Sequence, residues 1–292
     1  MLFKRLVLIG IGHIGASIAG ALKQRPGLVE RLVITDTNPA HLARAQALAL
    51  GDEYSADAEM AVLGADGVIL CTPVGTFANI AARIGPYLGP GCILSDVGST
   101  KASVIRDVSP FLPKDVAFVP AHPMAGTEFS GPDAGVPTLF VGRWCLLVPL
   151  PSTPPAAIET IAAFWQALGA RTAKMDEAHH DRVLAIVSHL PHLIAFTICG
   201  TADDLADETR EEILQFAASG FRDFTRIAAS DPVMWRDIFT NNKEALLEMF
   251  ARFSADAQAM AQAVRRDDTA YIEDKIKRGR KIRQSLVDLK QA

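Results

Sequence analysis

Apolar and polar positions follow two different patterns along this chain, and the change comes near Asp176. Before it, short apolar runs alternate with helical signals. Positions 6–9, 31–35, 67–72 (GVILCT), 92–97 (CILSDV), 116–120 and 144–148 (WCLLV) have the length and branching of buried strands. A further short strand is expected near 170–175. Helices are predicted after Gly15, over 39–50, 76–87, 101–111 and 155–168, and Asn38-Pro39 reads as a cap with proline at the first helical position. Strand alternating with helix predicts a doubly wound α/β sheet. After Asp176 there is no convincing strand. Helices are predicted over 181–205, 208–217, 231–265 and 268–292, and Asp231-Pro232 repeats the cap-then-proline signal. Leu246, Phe250, Phe253, Ala257, Met260 and Val264 form a near-heptad stripe, either a core seam or an oligomer contact. The expected organisation is an α/β domain over 1–175 and an all-helical, dimer-forming domain over 176–292.

The opening run raises a question of compartment. LVLIGIGHIGASIAGAL, positions 6–22, carries no charge and follows Lys4 and Arg5. A signal peptide has that profile. A buried strand, a glycine turn and a helix start have it too. The run contains Gly10-Ile11-Gly12-His13-Ile14-Gly15, a GxGxxG. In a dinucleotide site the first glycine makes the tight turn, the second lets backbone approach a pyrophosphate, and the third packs helix on strand. The helix N-terminus then offers N–H groups to the phosphates. GxGxxG alone is weak, but a second strand ends at Asp36, twenty-one residues past Gly15. A carboxylate there accepts hydrogen bonds from both ribose hydroxyls of NAD and repels the 2′-phosphate of NADP. A signal peptide leaves that second strand and Asp36 unexplained.

Composition narrows the remaining classes. The 292 residues are 49% hydrophobic and 21% charged, as in a soluble globular protein. The net charge of −4 provides no basic field for nucleic acid. No later run is expected to reach the roughly 18 apolar residues of a membrane span. Cys71, Cys92, Cys145 and Cys199 are scattered, which fits reduced thiols in the cytoplasm.

Four polar clusters stand where an α/β protein keeps its chemistry. Ser95-Asp96-Val97-Gly98-Ser99-Thr100-Lys101 follows a strand and offers a hydroxyl and N–H groups; it also reads as an ordinary Ser/Thr cap. Ala121-His122-Pro123-Met124-Ala125-Gly126-Thr127-Glu128 places His122 at a strand end. A neutral imidazole there can take a proton from a hydroxyl under oxidation, though a lone histidine is more often structural. Ser188-His189-Leu190-Pro191-His192 belongs to a region holding four of the seven histidines. Pro191 distorts the helix between the pair and no third ligand stands at metal spacing, so zinc is not expected. The run 219–226, SGFRDFTR, supplies Arg222 and Arg226, and arginine suits bidentate carboxylate recognition; a solvated helix start explains them equally.

Taken in order, GIGHIGAS, VGSTK, HPMAGTEFSG, HDRVLAIVSHLPH and SGFRDFTRIAASDPVMWRDI resemble the prephenate dehydrogenase family, which includes the arogenate and cyclohexadienyl dehydrogenases of tyrosine biosynthesis. The likeness runs through nearly the whole chain. It implies a Rossmann domain followed by a helical dimerisation domain, NAD as cofactor, and oxidative decarboxylation of prephenate, arogenate or both. By that resemblance His122 accepts the hydroxyl proton or a hydrogen bond from it, and Ser99 helps hold the hydroxyl. Arg226 clamps the ring carboxylate with Asp223 as an orienting partner. His192 contacts substrate, His189 stands behind it, and Glu128 lies at the pocket mouth. Gly10, Gly12, His13, Ile14, Gly15, Asp36, Thr72 and Pro73 are the expected cofactor contacts. Neither a chorismate mutase segment nor a regulatory domain fits the span, so tyrosine feedback is expected at the active site. The basic cluster 275–283 reads as a solvated helix face. Two other readings compete: a β-hydroxyacid dehydrogenase, whose acid–base group is a lysine early in the helical domain, and an NAD sensor without catalysis.

Overall fold

The computed structural model describes residues 1–127, 129–204, 212 and 215–289. It forms two compact units, Met1–Lys243 and Glu244–Ala292. In the first, strands β1 (Phe3–Ile9), β2 (Val29–Thr35), β3 (Glu53–Ser55), β4 (Gly67–Leu70), β5 (Ile93–Asp96) and β6 (Ala117–Val119) make one parallel sheet in the order β3-β2-β1-β4-β5-β6. The uncharged opening run is the centre of this sheet. Leu6 and Leu8 of β1 point into one core with Ile18 and Leu22 of α1 (His13–Lys23) and with Phe164 and Trp165 of α6 (Pro155–Ala167). Val7 and Ile9 point into the other, with Phe77, Ala81 and Ile84 of α4 (Phe77–Ile84) and Val104 and Val108 of α5 (Ala102–Val108). A strand covered on both faces must be apolar at every position, which is why the run lacks alternation.

Helix α2 (Pro39–Ala47) begins as expected: Asn38 accepts a hydrogen bond from Ala40 N, with Pro39 behind it. The short β3 and α3 (Ala58–Ala61) were not expected from the sequence pattern. A larger difference concerns the later strands. Instead of extending the main sheet, β7 (Ala121–Pro123), β8 (Trp144–Leu147) and β9 (Arg171–Lys174) form a separate sheet, β8 being antiparallel to β7 and parallel to β9. Pro120 interrupts the chain between β6 and β7, so His122 lies within a strand of its own and not at the end of the 116–120 run.

Helix α7 (Glu177–Leu184) is capped by Asp176 and passes through a π turn, Ala185–His189, into α8 (Leu190–Asp203). The wide turn stands directly before Pro191, which has no N–H for the regular ladder. Residues 183–202 contain no Asp, Glu, Lys or Arg, and Glu177–Asp203 is long and apolar enough to cross a membrane by length and composition. This corrects the expectation that no later run has that character. Its buried face nonetheless carries His180, Asp181 and His189, polar groups that this fold pairs with side chains of other elements.

The predicted helix 208–217 lies largely outside the described residues. Helix α9 (Ser219–Thr225) leads into a 3-10 turn, Arg226–Ala229. The long helix expected over 231–265 is two helices. α10 (Pro232–Asn241), capped by Asp231, ends at Asn242, whose φ of −116° and ψ of 36° leave the helical region, and α11 (Lys243–Arg265) follows.

The second unit comprises most of α11 together with α12 (Thr269–Asp288), capped by Asp268 and tied to it by Lys275–Asp256 at 2.8 Å. Phe250, Phe253 and Val264 of the predicted stripe are 38%, 39% and 59% exposed, so an internal seam does not account for them.

Candidate active site

The glycine turn joins β1 to α1. Gly10 has φ +98°, and an added Cβ would lie 2.7 Å from Thr72 Cγ2. A Cβ on Gly15 would lie 2.3 Å from the carbonyl oxygen of Gly10. One on Gly12 would meet nothing within 4 Å. The three positions therefore carry a turn, a close packing contact and an open approach. Gly12 is also the N-cap of α1 and provides no side-chain cap, and no acidic residue stands in the first turn. The uncapped N–H groups of α1 face a space suited to an anion. Asp36 lies just past β2 and accepts from Ile11 N at 2.9 Å and from Asn38 N at 2.8 Å. A carboxylate has about four acceptor positions, so ribose hydroxyls still have room. These residues fit a dinucleotide.

Ile14 lies in the first turn of α1. His13 donates from Nδ1 to the carbonyl of Ala134 at 2.7 Å, fastening the 132–134 turn over the head of α1. Thr72 and Pro73 follow β4. Thr72 Oγ1 pairs with Thr76 Oγ1 at 2.7 Å, and Pro73 is exposed. α10 packs on this turn: a Cβ on Gly75 would lie 2.5 Å from Asp237 Oδ2.

His122 is only 7% exposed. Its Nδ1 lies 2.9 Å from His180 Nε2, and His180 Nδ1 lies 2.8 Å from Asp181 Oδ1. Asp181 accepts Lys101 N at 2.8 Å and Ala102 N at 2.9 Å. Asp181 therefore caps α5, where a Ser or Thr of VGSTK was the simpler expectation; Thr100 instead pairs with Ser103. Beneath His122 is a buried ion pair, Lys101–Asp96. Asp96 also accepts Gly98 N at 2.7 Å and Ala121 N at 3.1 Å, and Lys101 donates to Ala121 O at 2.9 Å. Both backbone groups of the residue before His122 are thus held by one buried pair. Burial raises the Asp96 carboxyl and lowers the Lys101 ammonium, while their mutual contact opposes both shifts. Burial first, then His180, Lys101 and His189, push the His122 imidazolium well below its ordinary range, so the ring is neutral near pH 7.

His189 is fully buried. Asn242 donates to its Nδ1 at 3.0 Å and to the Asp181 carbonyl at 2.8 Å. Nε2 of His189 is buried and has no hydrogen-bond partner. Burial lowers this histidine to about 4. His192 accepts nothing at Nδ1; it donates there to Ser188 O at 2.8 Å and stacks on Trp235 with centroids 3.6 Å apart. Burial lowers it, the bond to Ser188 O opposes that shift, and the charge of Arg226 lowers it further. Ser99 is half-buried, and its backbone approaches His189. The structure thus joins His122 to His180, brings Ser99 to His189, and packs the turn that begins at Arg226 on α8, which carries His192. It shows no bond between His122 and Ser99. Asp223 is exposed on α9, and Glu128 lies outside the described residues.

Residues 18–174 match the nucleotide-binding domain of prephenate dehydrogenase, and residues 176–278 match its dimerization domain. The chain belongs to the prephenate dehydrogenase family. It is 40% identical to the cyclohexadienyl dehydrogenase of Zymomonas mobilis over 97% of this chain and 96% of that protein. It is 31% identical to the prephenate dehydrogenase of Bacillus subtilis, over 96% of this chain and 76% of that one. Among solved structures, the Aquifex aeolicus prephenate dehydrogenase with hydroxyphenyl propionate and NAD+ aligns at a TM-score of 0.89 and 31% identity, covering 97% of this chain and 98% of that chain. A Rossmann-type sheet followed by a helical dimerisation domain is the family's plan. Sequence reasoning had found His122, Ser99 and Arg226 but not Asp96, Lys101, His180, Asp181, Asn242 or Trp235. Five of these stand inside the runs read from the sequence: Asp96 and Lys101 flank VGST, His180-Asp181 open the run ending in SHLPH, and Trp235 lies in the run ending in MWRDI. Their number of charged residues in an apolar setting was the available signal.

Proposed function

We propose that this protein catalyses the NAD-dependent oxidative decarboxylation of prephenate, arogenate or both, the step of tyrosine biosynthesis that yields 4-hydroxyphenylpyruvate or tyrosine. The observation that carries the reading is the buried, neutral His122, whose Nδ1 is engaged by His180 so that one ring nitrogen is left to act. NAD, when bound, supplies the acceptor for the hydride leaving the ring carbon that bears the hydroxyl. Gly12 and the head of α1 meet its pyrophosphate at the turn that Gly10 makes and Gly15 packs, Asp36 holds its ribose, and Thr72-Pro73 lines the approach.

The chain's own residues manage the proton and the carboxylate. Nε2 of His122 accepts the hydroxyl proton as that oxygen becomes a carbonyl. The ring carboxylate then leaves as carbon dioxide, and its bonding electrons pass through the ring to the same oxygen. That oxygen takes the proton back from His122 as the ring becomes aromatic. Aromatisation and loss of gas drive the reaction, so the protein's task is chiefly alignment. Ser99 helps hold the hydroxyl. Arg226 clamps the ring carboxylate, with Asp223 orienting it. His192 contacts substrate, and the unpaired Nε2–H of His189 offers a donor behind it. Tyrosine competes at this site, residues 176–292 form the substrate and dimer domain, and two copies pair through the apolar face of α11.

Supplying prephenate or arogenate with NAD and following the absorbance of reduced cofactor tests this reading. Reduction with at least one substrate, inhibited competitively by tyrosine, is expected. No reduction with either substrate would overturn the reading.

A further inference from the structure

The reaction assigned to His122 needs a bare Nε2 on a neutral ring. A neutral histidine carries its proton on either nitrogen, and nothing intrinsic to the ring guarantees the required form. The neighbours of His122 determine it. We propose that His180 is a positioning residue whose bond to Asp181 fixes His122 in the tautomer with Nδ1 protonated and Nε2 bare. The inference rests on the reading of His122 as the proton acceptor.

Asp181 is held by the N–H groups of Lys101 and Ala102 at 2.8 and 2.9 Å, and its carbonyl is held by Asn242 at 2.8 Å. A carboxylate only accepts, so His180 Nδ1, 2.8 Å away, must carry the proton. A neutral His180 then has a bare Nε2, which must accept. Its partner 2.9 Å away, His122 Nδ1, must therefore donate. With one proton on a neutral ring, Nε2 of His122 is the bare nitrogen. A charged His180 would donate from both nitrogens and reverse the outcome. Burial disfavours that charge, the Asp181 contact favours it, and the nearby Lys101 ammonium disfavours it, with a net shift downward. The bond also stabilises the imidazolium formed when His122 takes the proton, because its Nδ1–H then donates more strongly to His180.

His180 is itself fully buried and touches neither the glycine turn nor Arg226 by any hydrogen bond among the described residues. Its loss should therefore leave binding intact and act on turnover. Partners that orient a metal-ligating histidine through its other ring nitrogen typically contribute factors of about 10–100, and a similar size is expected here.

The test uses the full-length protein labelled with 15N in its histidines, saturated with NAD. The ring nitrogen shifts of His122 report which nitrogen is protonated. The unmodified protein should show protonated Nδ1 and bare Nε2. His180→Leu should lose that preference, with kcat lower by about 100-fold and KM and NAD affinity within about twofold. His180→Gln, whose Oε1 can accept from His122 Nδ1, should recover at least tenfold of the lost kcat. A protonated Nε2 in the unmodified protein would overturn the inference, as would unchanged kcat in His180→Leu. If His180→Leu fails to fold, the unmodified protein and His180→Gln still decide. The nitrogen shifts need no turnover, so a protein inactive on both substrates would refute the proposed function while leaving the tautomer measurable.

Discussion

The glycine turn and the histidine cluster differ in what they are made of. The turn binds with backbone and space. Gly12 offers room, α1 offers N–H groups, and Asp36 offers a carboxylate for the ribose. The cluster works chiefly with side chains, drawn from β5, the head of α5, β7, α7, the π turn and the break at Asn242, and backbone groups hold them in place. A dinucleotide presents the same phosphates in every such enzyme, and a local turn suffices to meet them. A proton transfer needs one lone pair aimed at one atom, and that takes supports from several directions. The first region should thus control cofactor affinity and the second turnover.

Substitutions that separate these two functions test the contrast. The largest effect should come from Gly15→Ala, where the new methyl would lie 2.3 Å from a backbone oxygen. A loss of about 3 kcal/mol in denaturant unfolding is expected, at the upper end of overpacking costs. Gly12→Ala should behave in the opposite way. Its backbone, at φ −74° and ψ −161°, is extended and accepts alanine, and the methyl meets no protein atom. Thermal stability should hold while NAD affinity, measured by calorimetry, weakens about tenfold, or about 1.4 kcal/mol. Equal losses of stability in both variants would erase the distinction between packing glycine and approach glycine.

Arg226→Ala probes the substrate side of the cluster. A guanidinium that binds the carboxylate equally in ground and transition states should raise KM about tenfold with little change in kcat. Unchanged KM would remove Arg226 from the carboxylate. The smallest effect is on stability in acid. His189, lowered to about 4 by burial, is neutral in the folded protein and protonated in the unfolded chain below its ordinary 6.5. The unfolded state then holds more protons, so stability should fall as pH drops from 6.5 toward 4 and be flat in this respect above 6.5. His189→Gln should reduce that slope in thermal melts.

The same contrast explains what the sequence could disclose. The glycine turn is contiguous, and Asp36 follows at a spacing set by one helix and one strand. Asn38-Pro39 and Asp231-Pro232 cap helices by local rules, and both do so here. The relay has no such locality. Lys101 N and Asp181 are eighty residues apart in sequence, and His122 and His180 fifty-eight. The bond between His122 and His180 had no local signal in the sequence. The π turn was visible only as a distortion at Pro191. The helix break at Asn242 could not be read from periodicity, since its cause is tertiary: the side chain turns back to reach the Asp181 carbonyl and His189. Nor did alternation tell one sheet from two, because β7, β8 and β9 are as strand-like as β1 to β6.

The separation of binding from reaction is tested most directly in one variant, His122→Asn, by measuring NAD affinity and turnover on the same preparation. Removing the proton acceptor should lower kcat by about 1,000-fold, within the range for a positioned acid–base group, while the Kd for NAD stays within twofold. Turnover near that of the unmodified protein, or a matching loss of NAD affinity, would contradict the account.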